Sequence, residues 1–141
     1  MRYLGLDLGS KTLGVALSDT TNTIASSLKT IFFKEDDYNS LIEPIRELVN
    51  EYDISKIVLG LPKNMNNTLG PRAELSYSFK KLLEDNLNIE VILEDERLTT
   101  VEAINIMKNN GLKRINEQNK TDVLSAVLIL ESYLKRQNYE K

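Results

Sequence analysis

The segment that most limits the possible folds is Lys56–Leu61, KIVLGL, which is apolar at almost every position. A strand with one solvated face alternates apolar and polar side chains, whereas a nearly continuous apolar run is typical of a strand covered on both faces. Such strands lie inside sheets that carry a layer of helices on each side. The chain is therefore expected to build its core on an α/β sheet.

Four further strands are predicted from short apolar runs bounded by turn residues. Three of them precede the central run and one follows it, at positions 2–7, 12–18, 26–33 and 89–94. Gly9 and Ser10 separate the first two, which indicates a hairpin.

The first helix has two possible beginnings. Ser40 and Glu43 match a capping box, in which each side chain bonds the backbone N–H of the other residue. The helix begins either at Ser40 or earlier, in which case it kinks at Pro44.

The other predicted helices share apolar positions at helical spacing. They cover 71–84, a stretch from 99 or 100 to 110, and 121–136. The resulting order, β-β-β-α-β-α-β-α-α, predicts a mixed sheet of five strands with helices on both faces.

Composition restricts the chemistry. A chain of 141 residues is typical of one domain, so residues 1–141 are expected to form a single unit. The sequence contains no Cys and no His, which excludes disulfides, thiolate nucleophiles, Ser-His-Asp triads and zinc sites built from those residues. Neither a signal peptide nor a membrane span is recognisable, so we expect a cytoplasmic protein. Because Cys and His are absent, its chemistry is expected to use oxygen donors, Lys, Arg or a hard metal ion.

Acidic residues occur where three separated segments can meet. Asp7 ends the first strand, Glu94, Asp95 and Glu96 stand at the end of the last strand, and Asp122 opens the final helix. Ligands of open α/β sheets gather at the carboxyl ends of the strands. The residues alone do not decide which of the three consecutive acids faces this edge.

Carboxylates that cluster repel one another unless a cation joins them. Without His or Cys, the fitting cations are Mg²⁺ or Mn²⁺, and two such ions about 4 Å apart can promote hydrolysis of a phosphodiester. Each acid also has a structural alternative. Asp7 could form a turn, Asp122 could favour a helix N-terminus, and residues 95–97 could form a solvated charge cluster.

Basic residues near the same edge could contact a nucleic-acid backbone. They lie in predicted loops or at helix starts, and they are Lys11, Lys63, Arg72, Arg97 and Lys120. The alternative is solvated side chains, with Arg97 paired to a neighbouring acid.

The segment from Gly5 to Thr12 is a near miss for a P-loop. Ser10 stands where that motif needs Gly, and the segment joins two strands rather than a strand and a helix. It also resembles the first phosphate loop of actin-like ATPases, but the chain lacks the second phosphate loop and the length of those proteins. The P-loop interpretation is rejected, whereas ATP binding of the second kind would require that nucleotide raises the thermal stability of the protein.

Four motifs resemble the YqgF/RuvX family over nearly the whole chain. They are GLDLGSKTLGVALSD at 5–19, GLPKNMNNTLGPRA at 60–73, DERLTT at 95–100 and TDVLSAVLILESYL at 121–134. The resemblance implies an RNase H-like fold related to the Holliday-junction resolvase RuvC. It also implies an acidic triad of Asp7, Glu96 and Asp122 that holds Mg²⁺ or Mn²⁺, and it thereby selects Glu96 among the three consecutive acids.

The same resemblance implies a metal-dependent nuclease that processes the 5′ end of pre-16S rRNA, a structured RNA. One alternative is resolution of branched DNA, which requires a homodimer because two opposed strands are cut in symmetry. The other is a nucleic-acid-binding module that does not cleave.

Overall fold

The computed structural model describes residues 1–62, 70–95 and 118–139, and the side chains of 1–62, 70–95 and 125–137. These residues form five strands, β1 (Arg2–Leu8), β2 (Thr12–Ser18), β3 (Ala25–Phe32), β4 (Ile54–Leu61) and β5 (Glu90–Asp95). They also form three helices, α1 (Ile42–Glu51), α2 (Pro71–Leu87) and α3 (Gln118–Tyr139), with a 3₁₀ turn at Tyr38–Leu41. The helix predicted near 99–110 lies outside the described residues.

The strands form one mixed sheet in the order β3-β2-β1-β4-β5. The β1–β2 and β2–β3 pairs are antiparallel, whereas β1–β4 and β4–β5 are parallel. The predicted five-stranded sheet is therefore confirmed. The apolar run at 56–61 belongs to β4, which is interior to the sheet, as its sequence indicates.

Helices cover both faces of the sheet, as predicted. Leu4, Leu6 and Leu8 of β1 point into a core shared with α1 and α2. The alternate residues of β1 face α3, which contributes a second core on the opposite side. Asp7 belongs to this second face.

Gly5 sets how closely α3 approaches the sheet. A Cβ at Gly5 would lie 2.8 Å from Leu130 Cβ and 3.0 Å from the carbonyl oxygen of Ala126, both on α3. Glycine in a strand interior often marks such a close approach. Because Gly5 has no side chain, α3 packs directly on β1 at a position two residues before Asp7.

The beginning of α1 differs from both predictions. Ile42 is its first residue, and Ser40 Oγ donates a 2.7 Å hydrogen bond to the carbonyl of Asp37 in the 3₁₀ turn. The capping box is therefore wrong, because the serine bonds backwards. Pro44 falls in the first turn of α1, where an N–H has no helical partner in any case.

Two helices are longer than their apolar patterns indicate. α2 continues to Leu87, and Asn88 then ends it in the left-handed conformation, with φ 52° and ψ 46°. α3 begins three residues before the predicted Thr121. Among the described helices, none combines the length and hydropathy that a bilayer span requires.

The turn between β2 and β3 is held by the carboxylate of Asp19. Its Oδ1 accepts hydrogen bonds from the backbone N–H groups of Thr23 at 2.8 Å and Ile24 at 3.0 Å. The Thr21 hydroxyl donates to its Oδ2 at 2.5 Å. These bonds, the one from Thr21 first, lower the pKa of Asp19 from 3.8 to about 2.

Candidate active site at the carboxyl edge of the sheet

Asp7 is a half-buried acid between two buried leucines of β1, Leu6 and Leu8. It pairs with Gly14 of β2 and lies on the face of the sheet that α3 covers. The position of β2 that pairs with Asp7 therefore carries no side chain. An acid at this place is unusual because Asp is disfavoured in strands, which argues for a role beyond turn formation.

The register brings the end of β5 to the same edge. Leu6 pairs with Leu59 in β4, so the next residue, Asp7, is level with Gly60, which itself pairs with Glu94 of β5. Glu96 follows the last residue of β5 and lies outside the described residues. Two of the segments predicted to supply acids therefore end side by side.

Glu94, one of the three acids that the sequence left open, has a structural role. Its side chain is only 2% exposed, and its Oε2 accepts hydrogen bonds from Ser132 Oγ at 2.7 Å and Arg136 Nη1 at 3.0 Å. Arg136 Nη2 lies 2.5 Å from Oε1 as an ion pair. Glu94 therefore fastens α3 to β5, a role that the sequence does not reveal.

Asp95 lies on the other face of the sheet from Glu94 and Asp7, because successive strand residues point to opposite faces. It is half-buried and pairs with Leu61. The geometry thus separates it from the face on which Asp7 lies.

Asp122 does not open the final helix, contrary to the sequence interpretation. α3 begins at Gln118, so Asp122 lies in its second turn, and its side chain is outside the described set. The field of a helix N-terminus decays within the first turn. The structural alternative for Asp122, charge compensation at a helix end, is weakened accordingly.

Two of the predicted basic residues lie at this edge. Arg72, near the start of α2, donates from Nη2 to the carbonyl of Leu8 at 3.1 Å, one residue beyond Asp7. Lys11 is exposed in the turn between β1 and β2, and its carbonyl accepts the Phe33 N–H at 2.9 Å.

The side chains of the other three basic candidates are not among those that the structure describes. Lys120 lies in α3 with its side chain outside the described set. Lys63 and Arg97 lie outside the described residues, as does Glu96. The parts of the chain that are described hold no group of three acids arranged to bind a metal ion.

Tyr38 is partly buried against the core, close enough to Arg72 to feel its charge. Its ring packs on Phe79 with 6.3 Å between centroids. Burial, followed by the charge of Asp36, raises the pKa of Tyr38, while Arg72 opposes that shift. The phenol therefore stays protonated and neutral at physiological pH.

Solved structures share this architecture. Thermus thermophilus RuvC in complex with a Holliday junction substrate matches 98% of this chain and 96% of its own, with a TM-score of 0.61 and 14% identity. The fowlpox virus Holliday junction resolvase matches 96% and 99%, with a TM-score of 0.59 and 18% identity. The fold is therefore RNase H-like, as the sequence resemblance implies.

A family model described as "RuvX: Holliday junction resolvase" matches residues 1–136, and the chain belongs to this family. A relative from Aster yellows witches'-broom phytoplasma is 50% identical over 132 residues, which are 93% of this chain and 87% of the relative. A Bacillus subtilis relative is 46% identical over 138 residues, 98% and 100% of the two chains. Both carry the name "Putative pre-16S rRNA nuclease".

Membership of this family places the chain among the nucleases, which are hydrolases of phosphodiester bonds. A binding module without enzymatic activity is therefore not the interpretation that the relatives support.

Proposed function

We propose that this protein is a divalent-metal-dependent nuclease that processes the 5′ end of pre-16S rRNA in the cytoplasm. Relatives that cover nearly all of the chain at 46–50% identity carry the corresponding name, which supports the choice of substrate. We assign the activity to one domain, residues 1–141, most of which the family model spans.

The proposed catalytic residues are Asp7, Glu96 and Asp122. One observation carries this assignment: Asp7 is a half-buried acid at the carboxyl edge of the sheet, on the face that α3 covers. In the sequence, Glu96 directly follows the last residue of β5, and Glu94, two residues earlier, is level with Asp7 in the register.

The direction of α3 supports the inclusion of Asp122. Tyr133 packs against Tyr3 with 5.9 Å between ring centroids, and Ala126, farther back along the helix, lies over Gly5. α3 therefore runs antiparallel to β1, so that the N-terminal part of α3 lies toward the Asp7 end of the strand. Asp122 lies about one turn, or ~5.4 Å, before Ala126, and two strand residues span a similar distance.

Oxygen donors of this kind fit Mg²⁺ or Mn²⁺, and two ions are proposed. Bound ions would supply an activated water and would stabilise the leaving oxygen of the phosphodiester. Asp7, Glu96 and Asp122 would hold the ions. Arg72 and Lys11, which the fold brings to the same edge, would hold the phosphate backbone, with Lys63, Arg97 and Lys120 as further proposed contacts.

The test is cleavage of an end-labelled pre-16S rRNA fragment in Mg²⁺ by the parent protein, Asp7→Asn and Asp53→Asn. Asp7→Asn keeps the size of the side chain and removes its charge, so the rate is expected to fall at least roughly 100-fold. Asp53 precedes β4 at the opposite edge of the sheet, and its exposed carboxylate serves as the matched control.

Equal rates for Asp7→Asn and the parent protein would refute the proposed site. Salt-sensitive RNA binding by the parent without any metal-dependent product would refute the nuclease and would indicate a binding module instead.

The description of the family model favours a second candidate, resolution of Holliday junctions. This function requires a homodimer, because two symmetric cuts release the junction. A four-way DNA junction is assayed beside the rRNA fragment, and light scattering gives the mass of the protein with and without DNA. Cleavage of the junction by a dimer would favour this candidate, whereas a monomer that cleaves only RNA would exclude it.

A further inference from the structure

Phe32, the last residue of β3, is unusually exposed for an aromatic side chain in a sheet. Its relative exposure is 64%, although its neighbours Ile31 and Phe33 pack against the core. A single exposed apolar side chain is common on protein surfaces and by itself indicates nothing. The position of Phe32 relative to Asp7 is what makes it informative.

The register places both residues on one face of the sheet. Phe32 pairs with Thr12, and Asp7 pairs with Gly14, two residues farther along the same strand. Residues that pair across a ladder share a face, as do residues two apart in a strand. Phe32 therefore lies on the face that carries Asp7.

The distance between the two positions suits neighbouring nucleotides. Phe32 is two strands from Asp7, about 10 Å, and is displaced by two residues along the strands, about 7 Å. The Cα atoms are thus roughly 12 Å apart by strand geometry. A nucleic acid whose phosphate lies at Asp7 has flanking bases within reach of Phe32.

Basic residues accompany the aromatic ring. Lys11 is exposed, and its carbonyl binds the N–H of Phe33, so the β1–β2 turn is joined to the end of β3. Lys34 is also exposed and lies two residues after Phe32. Grooves that bind single-stranded nucleic acids combine stacking aromatic side chains with positive charge in this way.

The acidic residues 35–37 follow directly, but the chain turns away there. Asp37 donates its backbone N–H to the Lys34 carbonyl, and Tyr38 then packs against Phe33 and Phe79 on the face of α1 and α2. The acidic turn therefore leads away from the face that Phe32 and Asp7 share.

We propose that Phe32 is a stacking platform for an unpaired base that flanks the phosphate at Asp7, with Lys11 and Lys34 as contacts to the adjoining backbone. The proposal rests on the proposed function for its ligand. It adds a binding subsite on the β3 side of the carboxyl edge.

The experiment measures binding rather than cleavage. All proteins carry Asp7→Asn so that RNA remains intact in Mg²⁺, and the probe is a short single-stranded RNA that carries 2-aminopurine at successive positions. Anisotropy gives the affinity, and quenching of 2-aminopurine reports stacking. Phe32→Ala is expected to weaken binding roughly 5- to 100-fold and to abolish quenching at one position.

Two variants serve as controls. Phe32→Trp preserves a stacking surface and is expected to retain both affinity and quenching. Ile24→Ala removes a side chain that is 62% exposed at the opposite end of β3, and it should change neither.

The proposed backbone contact of Lys11 is tested by the salt dependence of binding. Lys11→Ala should reduce the slope of log K against log salt by about one.

Unchanged affinity and quenching in Phe32→Ala would overturn the proposal. A dimer that Phe32→Ala converts to a monomer, with RNA affinity per chain unchanged, would also overturn it and would identify an interface between two copies. The proposed function is tested separately, since it fails if Asp7→Asn still cleaves RNA, whatever Phe32 does.

Discussion

Removal of the Arg136 side chain should destabilise the protein more than removal of the charge of Glu94, its ion-pair partner. Glu94 is 2% exposed in the parent protein, and in Arg136→Ala it keeps the hydrogen bond from Ser132 but loses its counter-charge. Loss of one partner of a buried ion pair costs about 3–5 kcal/mol. Because Ser132 still donates, we expect the lower end, about 3 kcal/mol of unfolding free energy.

The reverse substitution should cost less. Glu94→Gln keeps the size of the side chain and can still accept the bond from Ser132. Arg136, whose side chain is 53% exposed, is then solvated by water. The expected loss is about 1 kcal/mol, that of one hydrogen bond.

The double variant separates this reasoning from a simple loss of packing. With Glu94→Gln and Arg136→Ala together, no buried charge remains, so the double variant should be more stable than Arg136→Ala alone by about 2 kcal/mol. Urea unfolding followed by circular dichroism measures all four free energies. A double variant as unstable as the two single losses added together would refute the buried-charge argument, as would a loss below about 0.5 kcal/mol in Arg136→Ala.

Three further outcomes are expected. Gly5→Ala should lose about 1–3 kcal/mol of stability, because its Cβ would lie 2.8 Å from Leu130 Cβ. It should also lose more nuclease activity than Leu48→Ala, a core substitution on the opposite face of the sheet, when both variants are assayed well below their melting temperatures. Asp19→Asn should be less stable than the parent at pH 7, and the difference should shrink as the pH falls from about 4 to about 2, because a carboxyl whose pKa is lowered on folding loses its contribution on protonation; a difference that is constant with pH in urea titrations would contradict this. Arg72→Ala should raise the KM for RNA more than it lowers kcat in steady-state assays, and a pure loss of kcat would contradict a role in phosphate binding.

Local patterns were sufficient to predict the layers of this fold. The apolar run in β4 indicates an interior strand, and the turn at Gly9 and Ser10 indicates the hairpin. The beginning of α1 was misplaced because it depends on competition between local hydrogen bonds. Ser40, for example, bonds the Asp37 carbonyl instead of capping a helix.

The candidate site could be predicted only in part, because its residues meet over long sequence distances. The sequence predicted that Asp7 and the end of β5 lie close together, because ligands of open α/β sheets bind at the carboxyl ends of the strands. The pairing of Glu94 with Ser132 and Arg136, 38 and 42 residues away, leaves no mark in any local pattern. The roles of Glu96 and Asp122 remain predictions from the family motifs.

The central claim is that Asp7, Glu96 and Asp122 share divalent ions at the carboxyl edge of the sheet. Anomalous diffraction from a crystal of the protein soaked in Mn²⁺ tests it most directly. We expect anomalous peaks within bonding distance, about 2.0–2.2 Å, of the Asp7 carboxylate, with oxygens of Glu96 and Asp122 completing the coordination. Mn²⁺ bound only elsewhere, or no peak at Asp7 with the three carboxylates directed apart, would contradict the claim.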